Sequence, residues 1–428
     1  MKVAFYTLGC KVNQYETQLM LESLLAAGFN VVPCEEKADI YVVNSCTVTA
    51  VSNQKTRQSV RAFKRKHPES IVILAGCMSQ AYPEEAKKLT EADIVIGNTE
   101  HKHLPLLIER YFAAQGRVLE IAPHGGGESF ESGIIHDFEG KTRAEVKIED
   151  GCNRFCTYCA IPYARGRVRS KPLEEVKKEV EFLAAKGYKE IVLVGINLSA
   201  YNDDGKDLGD VVCAITPMEG IERIRLGSLE PDHITDELIR KLRQSEKFCP
   251  QFHISLQSGC DKTLRAMNRH YTAAEYAALC GKLRATFEDC TLTTDVMTGF
   301  PGESEANFNE SLRFVESIGF EKLHVFPYSI REGTKAAAME GQLPKSVKAQ
   351  RAKEMIALGD AVRKAFLAQQ VGKVVEVLFE SKKDGVSTGH TKNYIPVSVK
   401  TDEDISDSIR LVRIEGFDTE GCSGILID

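Results

Sequence analysis

The fold of this chain is decided by one stretch, Gly151-Cys152-Asn153-Arg154-Phe155-Cys156-Thr157-Tyr158-Cys159. Its three cysteines follow directly after the apolar run Ala144–Ile148, which predicts a strand. Three thiolates this close in a loop can bind one inorganic centre, and a four-iron cluster with three cysteine ligands keeps one iron open for substrate. A structural zinc site is the alternative, but no further cysteine or histidine follows within the next twenty residues. Unliganded cysteines are the third possibility.

The region from about Arg143 to Ile330 alternates short apolar runs with helical patterns. The predicted strands are Ala144–Ile148, Ile191–Val194, Ile221–Leu226, Gln251–Leu256, Thr291–Met297 and Lys322–Tyr328. The helical patterns between them are Glu174–Lys186, Thr235–Gln244, Ala273–Arg284 and Ala306–Ile318. Six strands with crossover helices predict an open, barrel-like α/β domain, because a closed barrel of this type has eight strands.

The N-terminal region shows a second group of cysteines. Apolar strand patterns alternate with helices here and predict a parallel sheet. Cys10, Cys46 and Cys77 each end such a strand pattern. The carboxyl ends of parallel strands lie on one side of a sheet, so these cysteines can share a second cluster. The alternative for each is a small buried apolar residue. The remaining seven cysteines are interpreted as packing residues: Cys34, Cys213, Cys249, Cys260, Cys280, Cys290 and Cys422.

Composition shifts predict three domains. The fold class is α/β: an N-terminal parallel-sheet domain at 1–115, a linker at 116–141 with a glycine run at Gly125–Gly127, a central partial (β/α)6 barrel at 142–368, and a small all-β domain at 369–428. The long helical pattern Ser346–Gln369 can bridge the last two domains.

Charge and hydropathy exclude several classes of protein. The 428 residues carry 55 Lys and Arg against 61 Asp and Glu, a net charge of −6, which argues against a uniformly basic nucleic-acid binder or a polybasic membrane protein. No apolar run approaches the ~20 residues that span a bilayer. The N-terminus enters a strand pattern directly and predicts no signal peptide. Thirteen cysteines without such a signal predict a reducing, cytoplasmic location.

These motifs resemble the radical S-adenosylmethionine superfamily, and the whole chain resembles its methylthiotransferases. The resemblance is carried by the cysteine loop with Tyr158, the three strand-end cysteines and the C-terminal module, which the resemblance identifies as an RNA-binding TRAM domain. The opening Thr7-Leu8-Gly9-Cys10-Lys11-Val12-Asn13-Gln14-Tyr15-Glu16 is similar to the subgroup that acts on N6-threonylcarbamoyladenosine at position 37 of tRNA. Further matches are Gly195-Ile196-Asn197, Leu256-Gln257-Ser258-Gly259, Thr294 to Glu303 and Gly389 to Tyr394.

The resemblance implies two [4Fe–4S] clusters and S-adenosylmethionine as cofactors. One cluster, on Cys152, Cys156 and Cys159, would bind S-adenosylmethionine and generate a 5′-deoxyadenosyl radical. The other, on Cys10, Cys46 and Cys77, would carry the sulfur that is methylated and transferred to C2 of the adenine. Further cofactor contacts implied at strand ends are Tyr158, Gly195, Asn197, Glu230, Gln257 and Asp295. The Gly-Gly-Glu of the superfamily is replaced by Gly195-Ile196-Asn197, so the contact to the amino group is unassigned.

Local charge indicates where RNA would bind. The segment from Arg154 to Lys171 holds four arginines and one lysine and no acid, and we expect Arg165, Arg167 and Arg169 to contact RNA. A second acid-free segment, from Ala50 to His67, carries six cations but equally fits a solvated helix face. The C-terminal domain has 7 Lys and Arg against 11 Asp and Glu from Val371 to Asp428, so it would bind RNA through one face only. The residues expected there are Lys392, Asn393 and Tyr394.

The resulting prediction is a tRNA methylthiotransferase that forms 2-methylthio-N6-threonylcarbamoyladenosine. The alternatives are a sister methylthiotransferase acting on N6-isopentenyladenosine in tRNA or on a ribosomal-protein aspartate, and a non-enzymatic RNA-binding protein with structural metal sites. We further expect tRNA as partner, an electron donor such as a flavodoxin or ferredoxin, no membrane partner and a monomer.

Overall fold

The N-terminal domain is built on a parallel sheet of six strands in the computed structural model, which describes residues 1–99, 101–114, 116–125, 127–135, 138 and 142–427. The strands are β1 (Lys2–Thr7), β2 (Asn30–Val31), β3 (Ile40–Ser45), β4 (Ile71–Gly76), β5 (Ile94–Ile96) and β6 (Val118–Glu120). They lie in the order β2-β1-β3-β4-β5-β6. The helices are α1 (Lys11–Ala26), α2 (Ala50–Lys66), α3 (Cys77–Ala81), α4 (Pro83–Lys88) and α5 (Leu104–Ala114).

The burial of the two central strands shows that helices cover both faces of this sheet. Every residue of β3 and of β4 is buried, as expected of parallel strands covered on both faces. One face packs against α1 and α5, and the other packs against α2, α3 and α4. The neighbouring strands β1, β3 and β4 therefore end on the same side of the sheet, which is the side of Cys10, Cys46 and Cys77.

The central domain is an open barrel of parallel strands. Its strands are β7 (Arg143–Lys147), β8 (Glu149–Asp150), β9 (Arg169–Ser170), β10 (Glu190–Val194), β11 (Arg223–Leu226), β12 (Ser228–Leu229), β13 (Gln251–Ile254), β14 (Thr291–Thr298) and β15 (Lys322–Pro327). They form the sheets β11-β10-β7 and β12-β13-β14-β15, and β8 pairs with β9. The helices are α6 (Ile161–Arg165), α7 (Leu173–Ala185), α8 (Leu208–Ile215), α9 (Asp236–Gln244), α10 (Asp261–Ala266), α11 (Ala273–Thr286), α12 (Glu305–Ile318) and α13 (Lys345–Ala368).

The six long strands of this domain follow one another around the barrel in chain order, with α7, α9, α11 and α12 in the crossovers. The predicted partial (β/α)6 barrel is confirmed. Sequence reasoning missed the short helices α8 and α10.

The C-terminal domain is a closed barrel of five strands in the order β16-β17-β18-β20-β19. The strands are β16 (Val374–Lys383), β17 (Val386–Thr391), β18 (Pro396–Lys400), β19 (Ile409–Phe417) and β20 (Cys422–Leu426). The predicted small all-β domain is confirmed, and Cys422 lies in its core as a packing residue.

The domain boundaries predicted from the sequence stay a prediction. Strand β6 lies inside the segment predicted as linker, yet it pairs with β5 and extends the N-terminal sheet beyond residue 115. Four positions of the predicted boundaries and glycine run, Gln115, Gly126, Lys141 and Asp428, lie outside the described residues. Among the helices of the described ranges, none has the length and apolar character needed to cross a membrane.

Candidate active site

The N-terminal cysteines converge where β1, β3 and β4 end. Gly9 precedes Cys10 with a φ of +116°, a conformation that favours glycine, and a Cβ on Gly9 would come within 2.9 Å of Cys46 Cβ. The glycine thus brings the Cys10 loop against Cys46. Cys46 and Cys77 are buried, and burial together with the neighbouring Cys46 thiol raises the pKa of the Cys10 and Cys77 thiols.

Burial and one arginine set the electrostatics of this triad. Burial raises the pKa of the Cys77 thiol to about 12, while the positive charge of Arg165 acts in the opposite direction. Arg165 Nε donates a hydrogen bond to Cys77 Sγ at 3.2 Å, and the backbone N–H of Val48 donates to Cys46 Sγ at 3.5 Å. Thiolates at these positions would be stabilised by a bound metal centre and by these donors.

Arg165 belongs to a buried charge network that joins the two cysteine groups. Its guanidinium donates to both carboxylate oxygens of Glu16, at 2.5 and 2.9 Å, and to Asp150 at 3.2 Å. Lys147 Nζ donates to the same two carboxylates at 2.7 Å each. Burial alone would raise the pKa of Glu16, but the charges of Arg165 and Lys147 hold it at about 2. The network therefore runs from Cys77 to Asp150, two residues before Cys152.

The second triad lies in the loop after β8. Burial raises the pKa of the Cys152 and Cys159 thiols to about 12. Arg269 Nη1 donates to Cys156 Sγ at 3.3 Å, and the backbone N–H of Arg154 donates to Cys152 Sγ at 3.5 Å. Arg269 also forms an ion pair with Glu230, so a buried arginine serves this triad as Arg165 serves the other.

Both triads have the character of iron–sulfur ligand sets. Each offers three thiols of one kind, and each has N–H donors aimed at sulfur, which is how proteins stabilise clusters. Within the described ranges, no three His, Cys, Asp or Glu side chains are arranged to hold a single metal ion. A cubic cluster places its irons at separate corners, so its ligands need not meet at one point.

The predicted contacts to S-adenosylmethionine lie around the carboxyl ends of the central strands. Tyr158 packs edge-on against Phe300, with ring centroids 6.4 Å apart. Glu230 is held by Arg269, and Asp295 lies 3.5 Å from the Nε2 of His253. Gln257 has a φ of +66° and pairs through its backbone with Asp295 and Met297. Their role as cofactor contacts stays a prediction.

Gly195 and Asn197 surround a buried carboxyl group that sequence reasoning missed. The backbone N–H of Asn197 donates to Glu149 Oε2 at 2.7 Å, and a Cβ on Gly195 would come within 2.7 Å of the same oxygen. Burial raises the pKa of Glu149 to about 8, so this carboxyl is mainly protonated at neutral pH. The Gly195-Ile196-Asn197 segment therefore serves at least to enclose Glu149.

A cavity of about 500 Å³ connects the three domains. The N-terminal domain contributes Cys10 and Lys11, which enter the open side of the barrel because Val12 packs against Val192 and Val194 of β10. The inner faces of β11, β13, β14 and β15 form the wall, and the C-terminal domain closes one end. The lining residues used below are Cys10, Lys11, Gly195, His253, His324 and Tyr394.

The structure corrects the prediction that three arginines of the 154–171 segment bind RNA. Arg165 is fully buried and Arg169 has only 8% of its side chain exposed, paired with Glu128 and Asp150. Both prefer these carboxylates because a buried charge requires a partner. Arg167 alone is exposed, and its guanidinium lies 4.7 Å from the ring centroid of Phe155.

Arg167 and two aromatic residues form an exposed surface beside the second triad. Phe155 and Tyr163 meet edge-to-face with centroids 5.8 Å apart, and Tyr163 is 52% exposed. The three residues line a surface pocket of about 470 Å³ together with His124. Aromatic rings and arginine planes are the groups on which unstacked RNA bases pack. We call these three residues the aromatic platform.

Lys392, Asn393 and Tyr394 contact the central domain, and their predicted role in RNA binding stays a prediction. Lys392 Nζ bonds the carbonyl of Glu246, and Asn393 Nδ2 donates to the carbonyl of Asp289 at 2.8 Å. Tyr394 stacks on His390, accepts a hydrogen bond from Arg143 at 2.8 Å and lies under Arg225. These contacts fasten the C-terminal barrel to the amino ends of the central strands.

Comparison with known proteins shows which protein families the domains match. Residues 2–97 match the uncharacterized protein family UPF0004, and residues 146–315 match the radical SAM superfamily. The chain is 38% identical over 420 residues to the threonylcarbamoyladenosine tRNA methylthiotransferase MtaB of Bacillus subtilis, covering 96% of this chain and 93% of that protein. It is 35% identical to the tRNA-2-methylthio-N(6)-dimethylallyladenosine synthase of Caldicellulosiruptor saccharolyticus, covering 95% and 88%.

The solved structures agree at the level of fold. The radical S-adenosylmethionine methyltransferase TsrM of Kitasatospora setae, with cobalamin and a [4Fe–4S] cluster bound, superposes with a TM-score of 0.61 at 14% identity, covering 90% of this chain and 80% of that chain. The chain belongs to the radical S-adenosylmethionine methylthiotransferase family. It is an enzyme whose cofactors are [4Fe–4S] clusters and S-adenosylmethionine, so the non-enzymatic alternative is set aside.

Proposed function

We propose that the protein adds a methylthio group to C2 of N6-threonylcarbamoyladenosine at position 37 of tRNA. The observation that carries the proposal is the pair of cysteine triads, one at the strand ends of each α/β domain, with a buried charge network that runs from Cys77 to Asp150. The family relatives named for threonylcarbamoyladenosine support this substrate over the dimethylallyl and ribosomal-protein alternatives.

The two triads would hold the two clusters. Cys152, Cys156 and Cys159 would hold the cluster that works with S-adenosylmethionine, and Cys10, Cys46 and Cys77 the one that supplies sulfur. When bound, these groups supply the radical chemistry that an unactivated aromatic C–H bond requires and that side chains lack. The chain itself buries Cys46, Cys77 and Cys156. Arg165 donates a hydrogen bond to Cys77, and Arg269 donates one to Cys156.

The RNA contacts belong to the surface beside the clusters. The aromatic platform offers both a phosphate partner, Arg167, and stacking faces. The C-terminal residues predicted from the sequence instead contact the central domain. The exposed cations of α2, which include Lys55, Arg61 and Arg65, add a basic surface. A flavodoxin or ferredoxin would supply the electrons, and the protein would act as a cytoplasmic monomer.

Nucleoside mass spectrometry tests the substrate. tRNA from a deletion strain should lose 2-methylthio-N6-threonylcarbamoyladenosine and accumulate its unmethylthiolated precursor, and the chain expressed from a plasmid should restore it. Loss of the isopentenyl analogue instead would assign the chain to the sister enzymes.

Anaerobic reconstitution tests the two triads. The intact protein should bind about eight irons, in keeping with two four-iron clusters. Replacement of Cys10, Cys46 and Cys77 by Ala should halve the iron, retain cleavage of S-adenosylmethionine to 5′-deoxyadenosine and abolish methylthio transfer. The Cys213→Ala variant, which removes a half-buried thiol outside both triads, is the matched control and should keep all three. Methylthio transfer by the triple variant would refute the assignment.

A further inference from the structure

The cavity between the domains contains a lysine, Lys11, to which the described residues supply no ion-pair partner. Lys11 is the first residue of α1, directly after Cys10, and it lines this cavity. In the described part of the chain, no hydrogen-bond acceptor or carboxylate lies within bonding distance of its ammonium group. The other partly or fully buried lysines of this region differ, since Lys147 and Lys171 each contact a carboxylate.

The charges nearest to Lys11 do not supply a partner. Glu190 is the acid that faces it from β10, but both oxygens of Glu190 are taken by Arg225, at 2.9 and 3.2 Å. Glu145 faces it from β7 without forming an ion pair with it, and Arg143 adds positive charge. Among the described residues, Lys11 therefore lines the cavity without a directly bonded carboxylate.

Two histidines also line this cavity. His253 Nδ1 bonds Thr293 Oγ1 at 3.0 Å, and the His324 ring lies 5.6 Å from that of His253. An apolar dimethylallyl group placed here would strip water from these groups and give them no hydrogen bond in return, which is costly. A substituent with a carboxylate and a hydroxyl, such as threonylcarbamoyl, would pair with them.

We propose that Lys11 Nζ binds the carboxylate of the threonylcarbamoyl group and thereby selects this substrate over one with an apolar N6 substituent. The inference rests on the function proposed above. Since Lys11 follows Cys10 directly, the ion pair would hold the base beside the cluster from which sulfur is transferred.

Binding of anticodon stem-loop RNA to the reconstituted enzyme tests this, measured by fluorescence anisotropy at constant salt. The RNAs carry threonylcarbamoyladenosine, its methyl ester, or unmodified adenosine. The wild-type enzyme should bind the acid about 10- to 100-fold more tightly than the ester, the range expected for one charge-assisted contact. This comparison needs no variant, so it does not depend on whether a variant folds.

Substitution of Lys11 completes the test. Lys11→Met should bind the acid as weakly as the wild type binds the ester and should bind unmodified RNA normally, while Lys11→Arg should retain part of the preference. Lys178→Met, which removes an exposed lysine on α7, is the control and should match the wild type. Lys178→Met should also keep the iron content and the 5′-deoxyadenosine formation of the wild type.

Two outcomes separate the inference from the function on which it rests. If the enzyme methylthiolates the acid but binds acid and ester equally, or if Lys11→Met weakens every RNA to the same extent, the role of Lys11 is refuted and the proposed function stands. If the wild type methylthiolates only isopentenyladenosine RNA, the proposed function fails, and this inference fails with it.

Discussion

Replacing Arg165 by Met distinguishes a structural arginine from Arg167, two residues away, which is proposed to bind RNA. Arg165→Met removes a fully buried guanidinium and keeps a side chain of similar length. Glu16 and Asp150 then lose a charge partner, and Cys77 loses a hydrogen-bond donor. Arg167→Met is the matched control, because it makes the same chemical change at an exposed position of the same loop.

The size of the effect follows from what remains in the network. Removing one partner of a buried ion pair costs about 3–5 kcal/mol. Lys147 still holds both carboxylates at 2.7 Å, so we expect the lower end, about 3 kcal/mol, for Arg165→Met. In a domain of the size of the central barrel, a loss of about 3 kcal/mol lowers the midpoint of thermal unfolding by about 6–12 °C. Arg167→Met removes one exposed cation–π contact and should cost about 0.5–1 kcal/mol.

Thermal unfolding of the metal-free protein followed by far-ultraviolet circular dichroism measures this, since the chain has no Trp for fluorescence. In tRNA affinity, Arg167→Met should be the more affected of the two variants. Arg167→Met should weaken binding and reduce its dependence on salt, whereas Arg165→Met should bind tRNA normally below its melting temperature. Equal midpoints for the two variants would refute the structural role of Arg165, and a loss of tRNA affinity in folded Arg165→Met alone would restore it as an RNA contact.

Three further predictions concern Glu149, Gly195 and Tyr394. Burial raises the pKa of Glu149 to about 8 in the fold, from 4.5 for an ordinary glutamate. Between these two pH values the folded protein keeps a proton that the unfolded chain releases, so wild-type stability falls relative to Glu149→Gln by up to about 1.4 kcal/mol per pH unit. Urea unfolding of both proteins should show a gap in stability that widens up to about pH 8 and is constant above it. Gly195→Ala forces a Cβ to within 2.7 Å of Glu149 Oε2 and should lower the free energy of unfolding by about 1–3 kcal/mol in the same assay. The control Gly281→Ala places its Cβ in open space within α11 and should be neutral or stabilising. Equal effects of the two substitutions would refute the steric argument. Tyr394→Ala should weaken the contact of the C-terminal barrel with the central domain and speed proteolysis after α13. Tyr394→Phe loses only the hydrogen bond to Arg143 and should lower the free energy of unfolding by about 1 kcal/mol. Identical digestion of the wild type and Tyr394→Ala would contradict this anchoring role.

The architecture was accessible from the sequence because its signals are local. Apolar runs such as those of β3 and β4 are buried on both faces and alternate with helices, so they mark a parallel sheet without further information. The positions of Cys10, Cys46 and Cys77 follow from the same pattern, since strand ends of a parallel sheet share one side.

The buried network was not accessible because its partners come from different domains. The acid-free basic segment begins at Arg154, after Asp150, and the other acid partners, Glu16 and Glu128, lie far away in sequence. One signal was present: Glu16 occupies a position on α1 between the buried residues Val12 and Leu19, where an apolar residue is expected. A charge on the apolar face of a helix indicates a buried partner that only the tertiary structure identifies.

The network also limits how members of this family can exchange domains. Glu16 belongs to the N-terminal domain, whereas Lys147, Asp150 and Arg165 belong to the central domain. A chimera that combines the two halves from different relatives would bury an acid without its bases, or the reverse, unless all four positions are inherited together. The domain that would donate sulfur and the domain that would generate the radical must therefore carry matching charges at their interface. We expect the two domains to evolve as one unit.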